Sequence, residues 1–380
     1  MKSILIGALL VMVAWTNLHA APKKIVGYYA NWSMYSADRP LLTRDLPIGL
    51  ITDVNYAFMK VDGAGTISLS DPWADIQSHT NWQHPDQYPY WGNLQMLRQL
   101  KIRAREAGHP IRTFFSVGGW GEFSRPFSQF TATAATRAHF VAQAIAFCET
   151  YDFDGIDIDW EYPVGPQEAE QFVLLLEDLQ AAFKAHTPEL FVTAAVPAGY
   201  QNYEQIDWCR AGRALDTVHL MTYDYAGSWD GFTGHQAPLE QARLGDPRYN
   251  TRSTVKDYLQ WIPAEKLTVG IPLYYRTYAN ARDGDTERHY GSSFNGPGNP
   301  PMLQYRQVMA SEAQFFWDDS AHACSAYWPS SGQYGTGINL RAIREICQFI
   351  EEQKLGGAMV WELNGDTASW EAMSVIAKGS

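Results

Sequence analysis

Residues 154–163, DGIDIDWEYP, leave little freedom to the rest of the chain. A β-strand sends alternate side chains to opposite faces, so Asp157, Asp159 and Glu161 share one face and Ile156, Ile158 and Trp160 the other. One face is wholly acidic while the flanking segments are rich in apolar residues, which points to a strand buried on both sides whose C-terminal end opens into a site. Three carboxylates at this spacing repel one another, so at neutral pH at least one holds its proton more tightly than a free side chain would. A carboxylic acid kept protonated is a proton donor, and Glu161, last in the row and flanked by Trp160 and Tyr162, is the expected one. Clustered carboxylates also suit calcium or magnesium. Asp152, Asp154 and Gly155 are not followed by the remaining ligands of an EF-hand loop, however, and the alternating spacing favours proton chemistry. Neither a metal nor an organic cofactor is expected.

The acidic run sits in a longer rhythm. Strand-like stretches fall at 24–32, 50–61, 112–117, the acidic run itself, 190–196, 217–221, 267–271 and 357–361. Helical spacing falls between them, at 93–108, 134–148, 167–186, 203–211, 254–261 and 340–354. Strands mostly followed by helices predict an α/β fold, a closed (β/α)8 TIM barrel, in which reactive groups gather at the C-terminal ends of the strands. Glu161, Tyr223 and Trp361 all lie at such ends. The rhythm stops at about 276–318, a stretch rich in Gly, Pro, Asn and Tyr, which reads as a small α+β insertion after the seventh strand, with the barrel formed by 21–275 and 319–380. The irregular segment 62–91, carrying Trp73, Trp82, Tyr88, Tyr90 and Trp91, is either a functional loop or a flap packed on itself. Gly118-Gly119-Trp120-Gly121 lacks the pattern of a phosphate cradle and reads better as a tight turn that aims Trp120 into a cleft.

The formal charge of -12 argues against a nucleic acid or an anionic membrane as partner. A neutral ligand fits better, and 14 Trp with 21 Tyr suggest a groove lined by flat rings with polar edges, suited to sugars or planar molecules. Residues 1–20 read as a secretory leader, with Lys2 ahead of an apolar run and Leu18-His19-Ala20 as its end, so the mature protein is expected to be secreted, extracellular or periplasmic. Cys148, Cys209, Cys324 and Cys347 could then form one or two bridges or stay as buried thiols. A monomer is expected.

Several strand ends together resemble one family. The run 154–163 resembles the DxxDxDxE signature of the family-18 glycoside hydrolases, the chitinases. Ser116-Val117-Gly118-Gly119-Trp120 is similar to that family's SxGG motif and Met221-Thr222-Tyr223-Asp224 to its MxYD motif. Residues 270–278, GIPLYYRTY, resemble its GxPxYGR segment with Tyr275 where glycine is usual, and 357–361 its closing strand. The resemblance spans Tyr28 to Trp361 and is weakest over 280–329.

It implies hydrolysis of β-1,4 bonds in chitin with retention at the anomeric carbon, the sugar's own acetamide acting as nucleophile. By the resemblance Glu161 is acid and then base, Asp159 stabilises charge on the acetamide nitrogen, Asp157 shares a proton with Asp159, and Tyr223 aligns the acetamide carbonyl. Asp224 and Arg276 would bind sugar hydroxyls or the acetyl oxygen, while Met221 and Tyr28 would line the acetyl pocket. Trp361 would lie beneath the reacting sugar, with Phe58 nearby, and Trp120 and Trp229 beneath its neighbours; Gly119 and Tyr162 belong to the same expected surface. His219 reads as a barrel residue rather than a base, and Asp318, Asp319 and Asp366 as capping or surface acids. A chitin-binding lectin and an endo-β-N-acetylglucosaminidase acting on N-linked glycans are the alternatives.

Overall fold

The computed structural model describes residues 24–80, 90–281 and 290–379. The expected leader, and Trp82 and Tyr88 of the ring-rich segment, lie outside those residues. In chain order the strands begin with β1 (Lys24–Ala30), β2 (Asp53–Val61), the short β3 (Ile67–Leu69), β4 (Arg112–Gly119) and β5 (Gly155–Trp160). They continue with β6 (Phe191–Pro197), β7 (Thr217–Met221), β8 (Leu267–Pro272), β9 (Tyr274–Tyr278) and β10 (Pro297–Gln304). The last are β11 (Gln314–Asp318), β12 (Ala323–Trp328), β13 (Gln333–Gly337) and β14 (Gly357–Trp361). Eight of them, β1, β2, β4 to β8 and β14, pair in parallel and close into the expected (β/α)8 barrel. The short β3 adds to β2 antiparallel at the rim.

The acidic run shows why this closure suits the sequence. Ile156, Ile158 and Trp160 point outward and join Phe172, Leu175, Leu176 and Leu179 of the helix Gly165–Ala185 in one continuous core. Burying each such side chain is worth about 1.5–3 kcal/mol. The acidic face turns inward, where a barrel offers polar neighbours from facing strands. The preceding helix, Ala134–Tyr151, starts on Thr133, whose hydroxyl accepts the Thr136 N–H at 3.2 Å, and stops where Asp152 turns left-handed at φ 61°. That turn hands the chain directly to β5.

The insertion is larger than the expected 276–318. Its five-stranded antiparallel sheet runs in the order β10-β9-β13-β12-β11, from Tyr274 to Gly337. Residues 319–337, expected in the barrel, instead carry β12 and β13, which pair as a hairpin within this sheet. Tyr275, the departure from the family pattern, is fully buried here. Its hydroxyl donates to the Ile338 carbonyl at 2.7 Å, and its ring lies so close to Gly337 that a Cβ there would sit 2.5 Å from it. The ring fills space left by glycine on the facing strand.

All four cysteines are free thiols, Cys209 exposed and the others buried. The buried ones sit inside packed elements, in helices Ala134–Tyr151 and Leu340–Glu352 and in β12. The described residues of segment 62–91 include β3 and the helical turn Trp73–Gln77. Asp366 is buried and caps the last helix through the N–H groups of Ala372 and Met373, while Asp318 accepts from Ser320 and Ala321 and pairs with His235 at 3.2 Å. Among the described residues no helix is long and apolar enough to cross a membrane.

Candidate active site

Strand register builds the site from below. Ser116 of β4 and Thr193 of β6 are both in register with Asp157 of β5, which places two hydroxyls beside one buried carboxylate. Thr193 donates to Asp157 Oδ1 at 2.7 Å, and Ser116 and Tyr28 donate to Oδ2 at 2.8 and 2.7 Å. Three converging hydroxyl donors suit a carboxylate. Burial still pushes the Asp157 pKa upward, with those hydroxyls pulling against it. His219 Nε2 lies 3.8 Å from Asp157 Oδ1, and Nδ1 is 2.8 Å from the Thr268 hydroxyl. Burial, with Lys24 and Arg112 adding their charges, pushes the imidazole down to about 3 and leaves it neutral, a barrel residue.

Asp159 lies two residues further along the same inward face. It is buried, and its Oδ1 has no hydrogen-bond partner. Burial first, then the charges of Glu161 and Asp157, hold its proton well above the usual carboxylate range. Glu161 lies just past the strand end and is partly exposed. Its backbone N–H donates to Ser124 Oγ at 2.7 Å, and that hydroxyl lies 2.8 Å from the Gly119 carbonyl, so Ser124 ties the ends of β4 and β5 together. Burial pushes the Glu161 carboxyl up to about 7; Asp224 adds to the shift, while the Tyr162 hydroxyl and Arg276 oppose it. The row therefore ends in an acid that is substantially protonated near neutrality, the state a proton donor requires.

Tyr223, at the end of β7, stands in the same field. Burial raises its pKa, and the charges of Asp159, Glu161, Asp224 and Asp157 add to the shift. Its ring packs edge-on to Tyr274 at 6.1 Å. Beside it Asp224 takes a left-handed backbone, φ 58°, and accepts from Arg276 of β9 through two bonds, Nε to Oδ1 at 2.7 Å and Nη2 to Oδ2 at 2.6 Å. Trp361 lies at the end of β14 with Tyr28 edge-on beneath it at 5.4 Å and Phe58 stacked on it at 5.6 Å. Trp120 is 74% exposed and Trp229 59% exposed, the latter with the Arg276 guanidinium 5.2 Å from its ring.

Some expected roles change. Tyr28 is buried and spends its hydroxyl on Asp157, so it holds the acid row from below rather than lining an open pocket. Phe58 is buried against Trp361 and acts as support for that ring. Gly119, φ 100°, is required by packing, since a Cβ there would lie 2.7 Å from the Phe58 ring. Met221 is mostly buried and joins Tyr28, Phe58 and Met359 under the cleft, with Tyr162, Tyr223 and Trp361 packed on that cluster.

Four contributors went unrecognised in the sequence reading. Ser116 and Thr193 could have been suspected from a strand register placing hydroxyls opposite Asp157; Ser124 carries no local signal. Trp32 was read as the end of the first strand, but the strand stops at Ala30. A helical turn, Asn31–Tyr35, then brings the Trp32 ring to 6.3 Å from Trp361 and 6.0 Å from Phe58.

The chain matches the family model described as Glycosyl hydrolases family 18 over residues 24–366. It is 34% identical over 352 residues to Chitinase 1 of Aphanocladium album, an alignment covering 88% of this chain and 80% of that protein. Among solved structures it resembles the Ostrinia furnacalis Group IV chitinase in complex with allosamidin, with a TM-score of 0.83 and 26% identity, covering 94% of this chain and 100% of that one. The fold is also shared with human YKL-39, described as a pseudo-chitinase with retained chitooligosaccharide binding, at a TM-score of 0.81 and 22% identity over 94% of this chain and 99% of that one.

Proposed function

This chain belongs to family 18 of the glycosyl hydrolases, and from that premise we propose that it is a secreted chitinase that cuts β-1,4 bonds with retention, using the substrate's acetamide as nucleophile. The observation that carries the proposal is the graded row Asp157, Asp159, Glu161. Its lowest member is held by three hydroxyls, its middle member keeps an unpartnered buried oxygen, and its last reaches the cleft with a pKa of about 7.

The chemistry follows from that arrangement. Protonated Glu161 gives its proton to the glycosidic oxygen as the bond to the anomeric carbon breaks. The carbonyl oxygen of the acetamide on the same sugar attacks that carbon and closes an oxazolinium ring. Positive charge grows on the acetamide nitrogen, and the free Oδ1 of Asp159 is the acceptor suited to its N–H. As Asp159 takes on negative character its proton passes toward Asp157, whose hydroxyl donors tolerate either state. Tyr223 holds the carbonyl in line, a positioning contribution. Glu161, now a carboxylate, takes a proton from water as that water opens the ring from the face the leaving group occupied. Two inversions at one carbon restore its configuration.

No protein carboxylate is needed as nucleophile. Asp157 and Asp159 are buried beneath the cleft, which suits them to electrostatic work rather than attack on the sugar. The test is cleavage of chitin tetramer followed at once by NMR of the new reducing end, with an oligomer lacking N-acetyl groups as control. The β-anomer from the first and no cleavage of the second are expected; efficient cleavage of the second would require a protein nucleophile.

A further inference from the structure

Glu161 lies one residue beyond the strand pairing that holds the rest of the acid row. Asp157 and Asp159 stand opposite Ser116 and Gly118 in the β4–β5 ladder, which ends with Gly119 opposite Trp160. On its other side β5 pairs with β6 only as far as Ile158. A carboxyl that delivers a proton must nevertheless be closely aimed, since a misplacement of about 1 Å can cost about 10²-fold in rate. The first residue past the ladder therefore needs a hold of its own.

Ser124, which the proposed chemistry leaves unused, supplies it. The residue is 4% exposed and follows the turn Gly121–Phe123. Its Oγ accepts the Glu161 N–H at 2.7 Å and donates to the Gly119 carbonyl at 2.8 Å, with the Asp159 carbonyl a second acceptor at 3.2 Å. One hydroxyl thus gathers the ends of two adjacent strands and the backbone of the acid; alanine could neither donate nor accept there. The serine is fixed in turn. Its N–H donates to the Gly121 carbonyl at 3.3 Å and its carbonyl accepts the Phe127 N–H at 3.1 Å. Buried Phe127 stacks at 5.2 Å on Trp160, the residue before Glu161. We infer, resting on the reading of Glu161 as the proton donor, that Ser124 is a positioning residue for the reaction: through the Glu161 backbone it aims the carboxyl at the glycosidic oxygen. Such a role has a chemical signature. A sugar leaving group must be protonated as it departs, whereas 4-nitrophenolate is a stable anion that leaves with little help, so misaiming the acid slows the first far more than the second. A general loosening of the fold would slow both alike.

The experiment compares the whole enzyme with Ser124→Ala and Ser124→Thr on chitin tetramer and on the 4-nitrophenyl β-glycoside of chitotriose. Enzyme is in excess, so that a single turnover is read, and melting temperature checks folding. In Ser124→Ala the tetramer should be cut about 10²-fold more slowly, with its dissociation constant within about threefold of the parent's, while release of 4-nitrophenol slows by less than about fivefold. Ser124→Thr, which keeps the hydroxyl, should bring tetramer cleavage back to within about tenfold of the parent. Ser124→Cys, which offers only a weak donor and acceptor, carries the same selective loss and stands in should the alanine variant not fold. An unchanged tetramer rate, an equal loss on the two substrates, or a loss accounted for by weaker binding overturns the assignment of Ser124. If the parent cuts neither substrate, or Glu161→Gln keeps the parent's tetramer rate, the reading of the site fails instead, and those controls are read first.

Discussion

Arg276 and Asp224 join the insertion to the barrel by a double hydrogen bond, 2.7 and 2.6 Å, across the wall of the cleft. The pair also brackets Glu161 electrically, because Asp224 pushes the Glu161 pKa up and Arg276 pulls it down. Removing one partner therefore has a signed effect. Asp224→Asn deletes the raising charge and leaves the cation uncompensated, so the basic limb of kcat/KM, where Glu161 loses its proton, should move to lower pH. Arg276→Ala should move it to higher pH and, with two charge-assisted bonds gone, lower kcat/KM by about tenfold or more. The pH dependence of chitin-tetramer hydrolysis measures both.

Raising the pKa of a carboxyl has a cost in stability that can be read separately. Glu161 binds its proton more tightly folded than unfolded, so between its unfolded value and about 7 the folded state holds more protons and stability falls as pH rises. Glu161→Gln removes that dependence. The variant should melt at a higher temperature than the parent at about pH 8 and show a much smaller difference at about pH 4, a gain of up to about 3 kcal/mol at the higher pH. Calorimetry at the two pH values is the check, and a destabilised variant at the higher pH would contradict the burial argument.

Tyr28→Phe deletes one of the three hydroxyls on Asp157 while keeping the ring beneath Trp361. A buried carboxylate then lacks one donor, a loss of about 1–3 kcal/mol. Because the lost bond favoured the ionised form, Asp157 should also take up a proton at higher pH than before. Asp159 would then have no neighbour able to receive its own proton. We expect kcat to fall more than KM rises, and the acid limb of kcat to move to higher pH; an unchanged profile would reduce Tyr28 to packing.

The fit between Tyr275 and Gly337 predicts a pairwise coupling. Gly337→Ala puts a Cβ 2.5 Å from the tyrosine ring and should cost about 1–3 kcal/mol through overpacking. Combined with Tyr275→Gly, the same substitution should cost much less than alone. A double-mutant cycle in denaturant measures the coupling.

Much of the barrel was legible because its strands are short apolar runs at helix-spaced intervals, and β5 carries its function in its alternation. What stayed hidden depends on neighbours in space. Ser116 and Thr193 look like ordinary strand residues until register sets them beside Asp157. Tyr28 read as a pocket residue because position in a motif does not reveal that its hydroxyl is already committed. The insertion was drawn too short because strands β12 and β13, which pair back onto β11 and β9, carry nothing in their composition that separates them from barrel segments. Trp32 stayed hidden because the first strand reads through to it in the sequence, whereas the strand ends at Ala30 and the chain turns at Asn31.

The most direct test of the account is single-turnover hydrolysis of chitin tetramer by Glu161→Gln, with binding of the same oligomer measured by calorimetry. Loss of the general acid should lower the rate by about 10²–10⁴ or more, with the dissociation constant within a few-fold of the parent. A variant that cleaves the tetramer within about tenfold of the parent's rate would contradict the assignment of Glu161 as the proton donor and the graded acid row built on it.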